Sequence, residues 1–338
     1  MAQARLSWID FAKVASICLV TSYHTQPPLT GYAAQFIQIL RLPAFFMIAG
    51  FLFNDKKFSS LLSFLRHRAK QLLIPYVCFE ALVIAFLCSN WEERQDAIIN
   101  ALLGHPTKCI PLWFLVCLFG MQTVHYLCIQ AVQRISGHDW ECHAHLLLGI
   151  YILFSIALSS FDITHNGQLN AIIINLPFYA AANCCKDIII NISWKQPLWT
   201  SCSLLLGTIL IYIKYKYLRE SMEWADGTLY YLVHLAAGFL LLPSYIATCK
   251  LIGQAIGHLR IIEYLGGNTV IILALHSYFI LLIARFVEED TLATFSWLNP
   301  CLTVCIVVAH LPIIWFINKY IPWIIGRKLH ERHQANGI

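Results

Sequence analysis

Lys13 and His24 bracket the run KVASICLVTSYH, whose interior is almost wholly apolar or small. An eleven-residue separation on a helix returns to within about 20° of the same face, about 16 Å further along the axis. One face therefore carries a cation near one end and an imidazole, with its pKa near neutrality, toward the other. Asp10 precedes Lys13 by three residues, within reach to neutralise or orient the ammonium. The chemistry such a face supports is a long anionic molecule held by its charge at one end and presented to a titratable base at the other. The bland alternative for a lone buried histidine is a hydrogen bond within a bundle, and the spacing from Lys13 is what lifts His24 above it.

The surrounding chain sets the solvent in which this face must work. Of 338 residues, 59% are hydrophobic and 12% charged, with a mean hydropathy of +0.65. Soluble domains carry about 25% charged residues, so the pattern excludes an ordinary soluble enzyme and gives no reason to expect a nucleic-acid partner. Runs of about 20 apolar residues mark membrane helices. Ten are expected, near 8–24, 33–53, 72–89, 110–132, 145–161, 169–185, 197–213, 228–249, 264–286 and 298–317. The fold expected is an all-α polytopic transmembrane helical bundle, a single domain over residues 1–338. Segment 58–71, FSSLLSFLRHRAKQ, reads as an interfacial helix with an apolar face on lipid and basic residues toward water. With both termini in the cytoplasm, 15 Lys and Arg fall on the inner side and 5 in outer loops, the bias expected of such a topology. That orientation puts the Asn191-Ile192-Ser193 sequon inside. No cleavable signal is expected, because Asp10 and Lys13 interrupt the first apolar run. The 13 cysteines sit mostly in apolar runs, as small hydrophobes rather than a disulfide framework.

Ionisable residues within spans are costly, about 2.5–3.5 kcal/mol for a central Lys or Asp, and tend to face the bundle interior. Asp10, Lys13, His24, Arg41, Glu80, His276 and Arg285 form that set. Arg285 lies near a span end, where snorkelling explains it. The loop HDWECHAH, His138 to His145, is rich in possible ligands, but its spacing fits no structural-zinc pattern and no metal is expected.

Several stretches resemble the membrane-bound acyltransferase-3 family. Its first helix carries Arg or Lys, ten residues, then His, which here is Lys13 to His24, and Asp10 also fits. RLPAFFMIAGFLF, Arg41 to Phe53, is similar to its second span through Pro43, Phe45, Phe46 and Gly50; Ala49 stands where Ser is commoner and Arg41 where His is frequent. RHRAKQLLIPY, Arg66 to Tyr76, resembles the basic segment before the third span. The usual R-x-x-R places its first Arg at Arg68 and its second at Gln71, a departure for which Lys70 or Arg66 would have to substitute. PLWFL, Pro111 to Leu115, and LGGNTVIILALHSYF, Leu265 to Phe279, match a fourth span and a late span ending in His276.

The resemblance implies an O-acyltransferase of a bacterial cytoplasmic (inner) membrane. Acetyl-CoA would be the acyl donor, with succinyl as another acyl group, and a hydroxyl of a surface or lipid-linked glycan the acceptor. His24 would be base or transient acyl carrier, with Lys13 and Asp10 beside it. Arg66, Arg68, Lys70 and Arg41 would contact the donor's phosphates, although basic residues on that side also serve topology alone. His276, Asn268, Trp113 and Glu80 are expected as substrate or supporting residues, against the plainer readings of interhelical hydrogen bonding and an interfacial tryptophan. Glu80 has no counterpart in the family motifs. No oligomeric state follows from the sequence. The rival function is a transporter or flippase for a lipid-linked sugar, which would more often show inverted repeats.

Overall fold

The structure, a computed structural model, describes residues 6–25, 28–107, 109–159, 167–195, 197–217, 224–285 and 298–327. It is helical, with no strand among the described residues. The α-helices are α1 (Ser7–His24), α2 (Gly31–Phe51), α3 (Leu61–Leu87), α4 (Trp91–Leu102), α5 (Trp113–Ser136), α6 (Ala144–Ser159) and α7 (Gly167–Cys184). They continue as α8 (Lys186–Asn191), α9 (Pro197–Tyr217), α10 (Trp224–Ile256), α11 (Arg260–Gly266), α12 (Thr269–Ala284), α13 (Leu298–Ala309) and α14 (Leu311–Tyr320).

Seven helical stretches are long and apolar enough to cross a bilayer: α2, α3, α5, α6, α9, α10 and the α13–α14 stretch. An eighth is the α11–α12 pair, which bends by 82°. Helices α1 and α7 fall short, and their surroundings explain why. Helix α1 packs against α2, α10, α11, α12 and α13, and α7 against α2, α5 and α6. A helix walled in by other helices has no need of an apolar surface for lipid, so it tolerates Asp10, Lys13 and several hydroxyls.

One expectation needs correction, and one helix was not expected. Residues 61–71 are not a separate interfacial helix. They are the first turns of one 27-residue helix that continues through Pro75 to Leu87. Ser60 caps its start by accepting from the Ser63 amide, and along its basic turns Arg66 and His67 are exposed while Arg68 and Lys70 are half-buried. Helix α4 went unanticipated because its acidic first turn, Glu92 and Glu93, breaks any apolar run; it packs back on α3 through Ala97 and Ala101.

Lipid offers no hydrophobic drive between helices, so close approach and polar contacts hold the bundle. At Gly50, α2 meets the main chain of Tyr179 on α7 so closely that a Cβ would collide with its carbonyl. Asn183 then donates to the carbonyls of Gly50 (3.2 Å) and Phe53 (3.1 Å), and His125 joins it to Tyr151. Tyr245 of α10 donates to the Ala12 carbonyl at 2.7 Å and receives the Ser16 hydroxyl at 2.8 Å. All thirteen cysteines are free.

Candidate active site

Helix α1 is positioned at both ends by polar clamps. At its C-terminus, where the last carbonyls have no partner within the helix, Asn299 of α13 donates to the Ser22 and Thr25 carbonyls, both at 3.1 Å, and accepts from the Ser22 hydroxyl at 2.6 Å. His24 lies between these anchors. Near the other end, Gly266 sits against Asp10: a Cβ there would stand 2.8 Å from the Asp10 carbonyl oxygen. The bend that brings Gly266 there is held by Arg327, whose guanidinium donates to Asn318 (2.5 Å), Asn268 (3.0 Å) and the Gly267 carbonyl (2.6 Å).

Between the clamps, α1 faces two chambers. The one at the Lys13 end has a volume of about 190 Å³, and Lys13, Arg68, Gln122, Thr269 and Phe45 contribute to its wall. Lys13 Nζ stands 3.6 Å from the buried carboxylate of Asp10. Arg68 is half-buried, its guanidinium 5.5–5.9 Å from the ring centres of Phe53, Phe58 and Phe64. It donates to Gln71 at 3.2 Å, so the residue at the family's second Arg position serves as a partner of the first. Its Nε, the buried Gln122 Oε1 and the fully buried Tyr179 hydroxyl lack hydrogen-bond partners among the described residues. Thr269 is the first residue of α12, whose end carries the partial positive charge of a helix N-terminus. The chamber is thus mostly apolar in its lining, with two cations, Lys13 and Arg68, and the amide of Gln122 on its wall.

The second chamber, about 20 Å³, is bounded by His24, Arg41, Trp113, Phe45, Pro111 and Leu273 among others. It holds about one water. The two chambers are distinct, and Phe45 contributes to the wall of both. The His276 ring lies 5.5 Å from that of His24. Its Nδ1 is within 2.9 Å of the Leu273 carbonyl and 3.1 Å of the Ile272 carbonyl, so neutral His276 carries its proton there. Its Nε2 is therefore a bare acceptor, buried and unpartnered among the described residues. His310 repeats the arrangement: Nδ1 faces the Ile306 carbonyl at 2.7 Å, and Nε2 is buried without a partner.

The expected site residues divide accordingly. Lys13, Asp10 and Arg68 gather at the wide chamber; His24, Trp113, His276 and Arg41 gather at the narrow one. Arg41 therefore parts from the basic group it was expected to join, because it lies ten residues before Phe51 on a helix running antiparallel to α1. Arg66 is exposed and Lys70 half-exposed, and neither lines a chamber. Asn268 is committed to the Arg327 clamp and to the Tyr264 carbonyl (2.7 Å), a positioning role for the bend. Glu80 is 3% exposed, lines neither chamber, and lies close enough to Tyr76, Cys109 and Tyr278 to interact with them electrostatically.

Phe45 as a shared wall, Gln122, Tyr179, His310 and Asn299 were not singled out from the sequence. A polar residue amid apolar ones, as in FGMQTVHY, was the available signal for Gln122. Comparison with curated proteins and with solved structures gives no match. A family model described as an acyltransferase domain matches residues 6–319, nearly the whole chain, and the protein belongs to the acyltransferase-3 family.

Proposed function

We propose that the protein is a membrane O-acyltransferase that moves an acetyl or other short acyl group from cytoplasmic acyl-CoA to a hydroxyl of a surface or lipid-linked glycan. The observation that carries the reading is the pair of chambers on one face of α1, cationic at Lys13 and histidine-lined at His24, meeting at Phe45. In this arrangement α1, α7 and the bent α11–α12 pair cross the bilayer with the seven apolar stretches, making ten spans. Both termini and the Lys13 end face the cytoplasm of a bacterial inner membrane.

Size decides how the donor would lie. A cavity of about 150 Å³ takes a benzene-sized molecule. The wide chamber, at about 190 Å³, suits an acyl-thioester arm and excludes a nucleotide. The adenosine phosphates would rest outside it, toward Arg66 and Lys70, with Lys13, Arg68 and the α12 N-terminus drawing the chain inward. Movement of the Phe45 ring would bring the thioester up to His24. Either His24 takes the proton of the acceptor hydroxyl as its oxygen attacks the carbonyl, the C–S bond breaks and the thiolate leaves and is reprotonated; or His24 takes the acyl group first and passes it to the hydroxyl. In both routes His276 Nε2 accepts an N–H of His24 and fixes which ring nitrogen reacts. Trp113 closes the chamber.

The test is transfer itself. Membranes holding the protein, given acetyl-labelled acetyl-CoA, are expected to release CoA and to move label onto glycan. Translocation of a lipid-linked sugar without any acyl donor, and no label transfer, would establish the transporter reading instead.

A further inference from the structure

Beside the narrow chamber lies a group of side chains with no part in the steps above. The guanidinium carbon of Arg41 stands 3.6 Å from the ring centre of Tyr23, and its Nε, buried, has no hydrogen-bond partner. On α9, Lys214 is only 2% exposed. Its Nζ lies 3.8 Å from the ring centre of Tyr230 and 3.5 Å from His234 Nδ1. Tyr23 and Tyr230 are near enough to interact electrostatically. The Tyr32 hydroxyl donates to the Thr208 carbonyl at 2.8 Å, and Tyr215 approaches Gly31, so this part of α9 sits at the His24 end of the bundle. A tract therefore runs from His24 through Arg41, Tyr23 and Tyr230 to Lys214.

Charge makes the tract unusual. Among the described residues, no carboxylate lies within 4 Å of Arg41 or Lys214. A cation that serves only topology turns its head to water or headgroups, and Lys214 turns inward to a ring and an imidazole. Buried charges are ordinarily paired, and among the described residues no carboxylate supplies that pairing to either cation. Two tyrosine rings offer flat faces to a sugar, and the two cations offer charge-assisted contacts to a carboxylate or phosphate.

We infer that this tract binds the acceptor and that the acceptor is anionic: a saccharide with a carboxylate or phosphate beside the hydroxyl presented to His24. The inference rests on the acyltransferase reading and adds the chemical class of the second substrate. Anionic charge could come from a uronic acid or from the phosphate of a lipid-linked sugar, and the two call for separate probes.

The experiment measures thermal stabilisation of the purified full chain in phosphatidylcholine nanodiscs. The probes are methyl glucuronide and its neutral counterpart methyl glucoside, and glucose 1-phosphate against glucose. Saturable stabilisation by at least one anionic member, and not by its neutral counterpart, is expected. Whichever pair discriminates names the source of the charge. Lys214→Met should weaken the apparent affinity about tenfold or more, with recovery in Lys214→Arg. Equal effects of anionic and neutral sugars, or no effect of any, overturn the proposal, and this comparison needs no variant to fold. Stabilisation by phosphatidylglycerol alone, lost in Lys214→Met and unaccompanied by any sugar effect, marks a lipid-headgroup site and also overturns it. Release of CoA from acetyl-CoA is followed separately. Its absence tells against the transferase reading, whereas the sugar comparison tells only on the acceptor.

Discussion

The two ends of α1 solve different problems. At Lys13 the chamber is wide, mostly apolar, and studded with polar atoms that await a partner. At His24 the space is a tenth of that volume and is crowded by rings. On the proposed reading the wide end holds a flexible anionic chain, for which room and charge matter more than fit. The narrow end is built for orientation: His276 is locked through its Nδ1, and Asn299 ties down the backbone on both sides of His24. On the proposed reading, binding and reaction fall to opposite ends of one helix, with Phe45 on the wall of both spaces.

Variants can break this contrast or sharpen it. The largest effect is expected at the narrow end. His24→Ala should lower transfer by about 10²–10⁴-fold while acetyl-CoA still binds, measured per molecule by label transfer and by donor binding. Normal transfer would remove His24 from the reaction. At the wide end, Lys13→Ala should raise the donor KM about tenfold with little change in kcat, and Lys13→Arg should fall between it and the parent; equal KM in both variants would make Lys13 a mere snorkelling residue. Phe45→Ala joins the chambers. It should raise acyl-CoA hydrolysis several-fold relative to transfer, because water then reaches the thioester, and an unchanged ratio would show that the ring is no barrier. The smallest effect is expected at Asn299→Ala, a loss of about 0.6–1.7 kcal/mol of stability, together with a fall in kcat at unchanged donor KM. A fall in stability alone would reduce Asn299 to a structural strut.

Much of this was legible in the sequence, and for physical reasons. The apolar runs marked the seven stretches long and apolar enough to cross, because lipid demands such runs, and the Lys13–His24 spacing falls on one helix, whose rise and twist are fixed. What escaped was whatever depends on contacts between distant segments. Arg41 and Arg68 look alike as intramembrane cations, yet antiparallel packing of α2 on α1 carries Arg41 to the His24 end. Asn268 looked like a site residue; only the fold brings Arg327 to it and turns it into a clamp. Helix α3 read as two pieces because a basic turn precedes an apolar one, although the helix runs on through Pro75 to Leu87. That Phe45 walls both chambers depends on side-chain packing between helices, for which composition carries no signal.

The Arg327 clamp has a consequence for how the molecule is made. Thr269, which lines the wide chamber, owes its place to a bend fastened by a residue almost sixty positions further on. A growing chain on the ribosome can lay down α1 and α2 early, but its wide chamber acquires a final wall only after that arginine has been added. On the proposed reading, a product terminated before Arg327 would reach the bilayer with His24 in place but without a finished place to hold what it reacts.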